Sequence, residues 1–258
     1  MNNRSAEHFD KLFNEVSLNW ARRYESSQSS IARLHVVGGE IQKVLTGSGW
    51  GDKSLTTVLD FGCGPGIFGS IASEFADRVI CMDRAKNMVE SFSKSKHVLE
   101  RIVSTIGGNF DPTKIEMKVG DETNLLDFPN ANFNLIISIA VLEYVNSPLD
   151  TLSQFLRCLD NDGAIIATLP NPNSLFRKIE PPLNSLAVSI GRTFRVEKLK
   201  NRACTGFDSN YKHIDLKKEI IKIGGEVSYT QGVPLALHGI RNHVVPNQLF
   251  VIKKKLTS

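Results

Sequence analysis

Short apolar runs alternate with longer amphipathic stretches along most of the chain. The runs are rich in Val, Ile, Leu and Phe and predict buried strands, whereas the stretches between them repeat apolar residues at helical spacing. The predicted strands cover residues 57–61, 78–83, 114–119, 133–139, 164–169, 226–233 and 248–254. The predicted helices cover residues 6–24, 31–45, 67–75, 86–106, 148–159 and 211–223. A turn is predicted at residues 160–163, whose sequence is Asp-Asn-Asp-Gly. Alternation of strands and helices indicates an α/β fold with a doubly wound sheet.

The strand predicted at residues 57–61 runs into a turn rich in glycine. Gly62, Gly64 and Gly66 follow Asp60 at alternate positions, and a predicted helix begins directly after them. Glycine has no Cβ, so the backbone can approach a ligand closely, and the free N–H groups of the first helical turn point into the same space. The stretch therefore predicts a ligand cradle, with Asp60 placed to orient the loop or to meet a cationic amine.

Three interpretations of this cradle compete. Gly64, Gly66 and Gly69 match the dinucleotide fingerprint G-x-G-x-x-G, and Asp83 lies near the offset of a ribose-binding acid. Asp60 at the strand end, with Gly62 close behind it, starts the glycine run earlier than that fingerprint does. This arrangement resembles motif I of the class I S-adenosylmethionine (SAM) methyltransferases, in which an acid precedes G-x-G-x-G. A glycine-rich turn without a ligand is the third interpretation, and methyl transfer is the favoured one.

Acidic residues recur where three successive predicted strands end. Asp60, Asp83 and Asp121 hold these positions, and the carboxyl ends of parallel strands meet along one crevice of a doubly wound sheet. The resemblance implies that Asp83 accepts hydrogen bonds from both ribose hydroxyls of SAM, and that Asp121 accepts one from the adenine amino group. The implied cofactor contacts are Tyr24, Arg33, Asp60, Gly62, Cys63, Gly64, Gly66, Asp83, Arg84, Met88, Asp121, Glu122 and Ile139.

The resemblance also implies a sheet of seven strands, a Rossmann-like methyltransferase fold with an antiparallel seventh strand. The strands predicted at residues 226–233 and 248–254 match the antiparallel pair that closes this sheet. Dinucleotide-binding folds lack that pair, which is a second argument for methyl transfer.

Residues 140–145 follow the most apolar predicted strand. They resemble the segment after the fourth strand in the ubiquinone-biosynthesis O-methyltransferases and related small-molecule enzymes, where two acids and a histidine are associated with a divalent metal. Glu143 is present, whereas Ala140 and Tyr144 stand at the other two places, so we expect no metal. The Asn/Asp-Pro-Pro-Tyr/Phe motif of nucleobase and glutamine N-methyltransferases is also absent after this strand.

The sequence offers several candidates for catalytic groups. A hydroxyl acceptor usually needs a general base within hydrogen-bond reach, whereas an amine needs only to be unprotonated. His213 is the first candidate base, and the weaker candidates are Glu143, His35, His238 and His243. Tyr144 is placed to turn its aromatic face towards the sulfonium cation. A lone histidine is more often a structural or surface residue, so the acceptor atom, oxygen or nitrogen, stays open.

Two segments are expected to cover the site. Residues 1–52 form an N-terminal helical cap, which in the resembled family covers cofactor and substrate, and Tyr24 and Arg33 are its candidate contacts. Residues 171–210 form an inserted lid, because long excursions inside a compact domain tend to be functional.

The lid carries a basic cluster between residues 192 and 202. Arg192 and Arg195 favour an anionic acceptor, since the planar guanidinium suits carboxylate or phosphate groups; a solvated basic face is the alternative. With a SAM-binding core at residues 55–170 and the last helix and strands at residues 211–258, we expect a single domain.

The composition describes an ordinary globular protein. Of its 258 residues, 41% are apolar and 22% are charged, and no run approaches the about 20 apolar residues that span a bilayer. The N-terminus is polar, and the four scattered cysteines show neither metal nor disulfide spacing. We therefore expect a reduced, cytoplasmic protein. A net charge of +4 is too small to indicate a nucleic-acid partner by itself.

These observations favour a SAM-dependent methyltransferase that acts on an oxygen or nitrogen atom of a small-molecule acceptor. A nucleic-acid or protein methyltransferase that uses the basic lid is the first alternative. A non-catalytic SAM-binding protein is the second. The sequence leaves the oligomeric state open.

Overall fold

The computed structural model describes residues 13–15, 17, 19–47, 55–171, 216–233 and 247–255. Its helices are α1 (Arg23–Ser26), α2 (Gln28–Thr46), α3 (Ile67–Ala72), α4 (Lys86–Ser104), α5 (Pro148–Cys158) and α6 (Leu216–Lys222). Its strands are β1 (Thr57–Phe61), β2 (Arg78–Asp83), β3 (Ile115–Val119), β4 (Phe133–Ile139), β5 (Leu159–Pro170), β6 (Gly225–Val233) and β7 (Asn247–Lys254). Short 3-10 helices span Pro112–Lys114 and Glu122–Asp127.

The strands form one seven-stranded sheet in the order β3-β2-β1-β4-β5-β7-β6. Neighbours from β3 to β5 are parallel, while β7 runs antiparallel to both β5 and β6. The expected doubly wound sheet with an antiparallel seventh strand is confirmed. The chain order reverses between β1 and β4, so the crevice of the sheet opens at their carboxyl ends.

Each face of the sheet is covered by helices over its own apolar core. On one face α2, α3 and α4 pack on Val58, Val79 and Ile137, and on the other α5 and α6 pack on Leu59 and Ile136. All seven residues of β4 are buried, as expected for the centre of a sheet covered on both faces. The period-2 alternation of β1 places Asp60 on the same face as Val58, towards α3.

Two parts of the predicted pattern differ from the structure. The turn predicted at residues 160–163 is wrong, because β5 already begins at Leu159, which pairs with Phe133. Leu135 then pairs with Ala164, so the intervening residues form an irregularity inside the strand. A bulge of this kind inserts extra residues without ending the strand. Its polar sequence, Asp-Asn-Asp-Gly, is also typical of turns, which is why a turn was predicted.

The helix ends also shift. α2 begins at Gln28 rather than residue 31, because the serine run interrupts the helix only at Ser27, whose backbone is extended. α3 ends at Ala72 and α4 at Ser104, both before the predicted ends. The described residues of 13–20 are helical and a turn separates them from α1, so the predicted helix over 6–24 is interrupted. Helix ends fray, and apolar spacing alone does not locate them.

Some predictions lie outside the described residues. These are the lid beyond Asn171 and its basic cluster, together with His213, His238 and His243. Within the described part of the chain, no helix is both long enough and apolar enough to cross a membrane.

Candidate active site

The glycine loop between β1 and α3 forms the floor of the site. Gly62, Gly64 and Gly66 adopt φ angles of +71°, +56° and +84°, a region that glycine enters without steric cost. Gly62 is also required by space, because a Cβ there would lie 2.2 Å from Cγ2 of Val141. The loop is therefore held close under the segment that follows β4.

Asp60 acts within the fold rather than at the surface of the site. Its side chain is 1% exposed, and its Oδ2 accepts a 2.8 Å hydrogen bond from the backbone N–H of Gly69 in α3. Burial raises the pKa of Asp60 to about 7, against the lowering effect of the Gly69 N–H, and the charge of Asp83 adds to the rise. Asp60 thus orients α3 beneath the loop.

Asp83 joins the end of β2 to the glycine loop. Its Oδ2 accepts from the Gly64 N–H at 2.8 Å, and its Oδ1 accepts from the Ala85 N–H at 2.8 Å. A carboxylate oxygen can accept more than one hydrogen bond, so these two bonds do not prevent a ligand hydroxyl from donating to Asp83. Asp83 lines the cavity above the loop.

Two further acids border the same cavity. Asp121 caps the 3-10 helix after β3 and accepts hydrogen bonds from the N–H and hydroxyl of Thr123 at 2.9 and 2.7 Å. These bonds, with a smaller contribution from the charge of Arg84, lower the pKa of Asp121. Glu122 accepts from the side chain of Asn146 at 2.8 Å, which ties this rim to the segment after β4.

The cavity bordered by these elements has about 840 Å³ of empty space, which includes solvent space at its open mouth. Most of the predicted cofactor residues line it together. These are Tyr24, Arg33, Gly62, Cys63, Gly64, Asp83, Arg84, Met88, Asp121, Glu122 and Ile139. Of the predicted catalytic residues, Tyr144 also lines it. Asp60, Gly66 and Glu143 are not among the lining residues.

An aromatic wall, defined as Phe13, Trp20 and Tyr144, closes one side of the cavity. Phe13 packs edge-on against Trp20 with ring centroids 5.9 Å apart, and against Tyr144 at 5.5 Å. The wall thus links the cap to the segment after β4. Trp20 also lies over the glycine loop, since a Cβ on Gly64 would be 3.7 Å from its indole.

Sequence reasoning did not assign Phe13, Trp20 or Val141 to the site. Phe13 and Trp20 occupy the apolar face of the first predicted helix, and that pattern predicts burial without saying whether the side chain meets core or cavity. No signal in the sequence separates the two cases.

Arg33 of α2 places a positive charge against this largely apolar cavity. Its Nε is buried, and among the described residues it has no hydrogen-bond partner. Tyr24 also lines the cavity and packs edge-on against Phe68 with ring centroids 6.0 Å apart. A buried N–H without an acceptor is costly, so Arg33 suits an anionic group of a ligand.

The described residues contain no group of three His, Cys, Asp or Glu side chains placed to hold a metal ion. Cys63, Cys81 and Cys158 are buried free thiols.

The fold and the cavity define a class of protein. It is an α/β enzyme whose sheet is closed by an antiparallel strand. Its cofactor binds above a glycine loop at the carboxyl edge of the parallel strands. A family model described as a methyltransferase domain matches residues 32–217. The chain therefore belongs to this methyltransferase family, and SAM is its methyl donor. Comparison with curated proteins gives no significant match.

Solved structures share the fold at low sequence identity. Magnesium protoporphyrin IX methyltransferase from Synechocystis PCC 6803, solved with bound S-adenosylhomocysteine (SAH), has a TM-score of 0.63 and 14% identity, covering 96% of this chain and 99% of its own. The 1,6-didemethyltoxoflavin-N1-methyltransferase from Burkholderia thailandensis has a TM-score of 0.57 and 10% identity, covering 98% and 92%. The N-methyltransferase NodS from Bradyrhizobium japonicum has a TM-score of 0.54 and 12% identity, covering 95% and 98%.

Proposed function

We propose that the protein transfers the methyl group of SAM to an oxygen or nitrogen atom of a small-molecule acceptor, with both bound in the cavity above the glycine loop. The charged residues that line the cavity carry this proposal. They are Arg33, which comes from α2, and the acids Asp83, Asp121 and Glu122, which lie at or just after the ends of the neighbouring strands β2 and β3. SAM carries a carboxylate on its methionine part and hydroxyl and amino donors on its adenosine part, so each kind of group has a counterpart in the lining.

Each of these charged residues supports a specific contact. Arg33 would bind the carboxylate, because its buried Nε has no partner among the described residues and guanidinium–carboxylate pairs are strong. Asp83 would accept the ribose hydroxyls, and Asp121 with Glu122 would face the adenine. The backbone of the glycine loop, kept free of Cβ atoms, would lie against the middle of the molecule.

Bound SAM supplies a methyl group already activated by its sulfonium. The protein then has mainly to hold the acceptor atom in line and close to that methyl group. Tyr144 would border the methyl group, where an aromatic ring favours a cation. Glu143 and His213 remain proposed bases for a hydroxyl acceptor; His213 lies outside the described residues.

The enclosed, aromatic walls of the cavity support a small acceptor. Two of the similar structures are named for small-molecule methyl transfer, to magnesium protoporphyrin IX and to 1,6-didemethyltoxoflavin. An anionic acceptor held by Arg192 and Arg195 stays a proposal, because both residues lie outside the described part of the chain. The same holds for a nucleic-acid or protein acceptor bound by the basic cluster.

Calorimetry and a transfer assay test the proposed function. We expect SAM and SAH to give a heat of binding and NAD to give none. Methyl-labelled SAM, incubated with a deproteinised cell extract, with RNA and with protein fractions, should label the small-molecule extract, and a chelator should leave the rate unchanged. If NAD binds and SAM gives no heat of binding, SAM is not the cofactor. If label appears only in RNA or protein, the acceptor is not a small molecule.

Replacing Arg33 by methionine should weaken SAM binding without unfolding the protein. Methionine fills a similar volume but offers no charge, so the carboxylate loses charge-assisted bonds worth about 1.5–3 kcal/mol each. The dissociation constant should rise at least about tenfold. Arg22→Met is the matched control, because Arg22 also lies in the cap but is exposed and does not line the cavity. Equal effects of the two changes would contradict the assignment.

A further inference from the structure

The chain bends sharply where β4 enters the site. Ala140, directly after β4, has a φ of +57°, a left-handed conformation that a residue with a Cβ rarely adopts. Among the described residues, Ala131 is the other non-glycine residue with positive φ, and it lies in a turn before β4, away from the cavity. Ala140 lines the cavity. A strained backbone at a functional site persists only where the surroundings hold it in place.

The hydroxyl of Thr168 holds this bend. Its Oγ1 accepts a 2.8 Å hydrogen bond from the backbone N–H of Ala140. Thr168 belongs to β5, is 1% exposed, and pairs in register with Ile139, the residue before the bend. The hydroxyl therefore reaches one residue past the end of β4, where no strand hydrogen bond is available to fix the backbone.

The bend sets the place of the residues that follow it. Val141 is brought against the glycine loop, where a Cβ on Gly62 would lie 2.2 Å from it. The N–H of Tyr144 donates to the carbonyl of Val141 at 2.8 Å, and this turn presents the Tyr144 ring to Phe13. The hydrogen bond between the Ala140 N–H and the Thr168 hydroxyl thus fixes the position of the aromatic wall relative to the glycine loop.

We propose that Thr168 is a positioning residue for methyl transfer. Its hydroxyl fixes the left-handed Ala140, and through it the distance between the glycine loop, where the methyl donor binds, and Tyr144 on the acceptor side. This proposal rests on the proposed function, and it adds a residue that does not itself line the cavity.

Three variants separate positioning from general stability. Thr168→Val keeps the shape of the buried side chain and removes the acceptor, whereas Thr168→Ser keeps the hydroxyl. Ala140→Gly, added to Thr168→Val, removes the Cβ that makes the left-handed bend costly, so the bend can persist without the hydroxyl.

Two readouts are measured on the full chain. The first is amide hydrogen exchange of Ala140 by NMR on alanine-labelled protein saturated with SAH, and the second is the SAH dissociation constant by calorimetric titration of the ligand-free protein. Methyl transfer from labelled SAM to the small-molecule extract is measured in parallel.

For Thr168→Val we expect the Ala140 amide to exchange about tenfold faster and the transfer rate to fall about 10–100-fold, while SAH affinity stays within about threefold. Thr168→Ser should restore both properties. The double variant has no alanine at position 140 and is followed by its transfer rate alone. It should regain most of that rate, since the bend no longer needs a support.

Three results would overturn the proposal: unchanged exchange in Thr168→Val, loss of SAH affinity as large as the loss of rate, or no recovery of rate in the double variant. If the wild-type protein binds SAH but methylates nothing in the extract, the proposed small-molecule acceptor is wrong. The amide hydrogen exchange of Ala140 in the Thr168 variants then still decides whether Thr168 holds the bend.

Discussion

Replacing Asp83 by alanine is expected to weaken SAM binding more than any other single change at the cavity. Each ribose hydroxyl that loses a charged acceptor costs about 1.5–3 kcal/mol, so the dissociation constant should rise at least about tenfold and by more if both hydroxyls are bound. The change also removes the acceptor of the Gly64 and Ala85 N–H groups, which loosens the loop. The fold should survive, because Asp83 faces the crevice and not a core.

Calorimetric titration with SAM measures this effect, and two variants interpret it. Asp83→Asn can still accept a backbone N–H through its amide oxygen, but it lacks the charge and the second acceptor, so its affinity should fall nearly as far. Asp111→Ala is the matched control, because Asp111 accepts from the Thr113 N–H in the same way but lies outside the cavity lining. Unchanged affinity in Asp83→Ala would show that the ribose does not bind there.

Asp60 is expected to make the folded protein less stable as the pH rises from about 4 to about 7. Its pKa is raised from 3.8 to about 7 in the folded state, so between these values the native state binds a proton that the unfolded chain does not. The stabilising effect of this proton is fully present below the unfolded pKa and is lost as the pH rises through about 7. At about 1.4 kcal/mol per unit, the full difference approaches about 4 kcal/mol.

The Asp60→Asn variant isolates this contribution. Its amide is neutral at every pH and its oxygen can still accept the Gly69 N–H, so its free energy of unfolding should depend less on pH than that of the wild type. Urea denaturation at pH 5, 6, 7 and 8 should show the free energy of unfolding of the variant rising relative to that of the wild type, mostly between pH 5 and 7 and little from 7 to 8. The exposed Asp77, which accepts the Thr56 N–H, offers Asp77→Asn as a control for loss of one charge. If the difference in the free energy of unfolding between wild type and variant stays constant from pH 5 to pH 8, the expectation is contradicted.

The strands of the sheet could be located from the sequence alone where the apolar pattern is strong. β1, β2 and β4 begin and end at the predicted residues, because each is a short apolar run bounded by polar or glycine-rich turns. The same runs placed Asp60, Asp83 and Asp121 at strand ends, and parallel pairing brings such ends to one edge. The start of β5 was missed since a bulge of polar residues has the local sequence of a turn.

The role of each acid depended on contacts that join distant parts of the chain. Asp60 and Asp83 hold equivalent places in the sequence pattern, yet Asp60 is buried against Gly69 while Asp83 borders the cavity. The difference arises because α3 packs closely over Asp60: a Cβ on Gly69 would lie 2.2 Å from the sulfur of Cys81. Spacing along a strand cannot indicate how near a helix will approach.

The sequence was sufficient for the α/β class, the glycine loop and the crevice acids, since these follow from local spacing and from general rules for parallel sheets. The packing of the chain assigned Phe13 and Trp20 to the cavity wall, left the Nε of Arg33 without a described partner, and brought Thr168 to the bend at Ala140. Each of these depends on side chains far apart in the sequence meeting across an interface, and hydrophobic periodicity carries no information about which partner a buried side chain will meet.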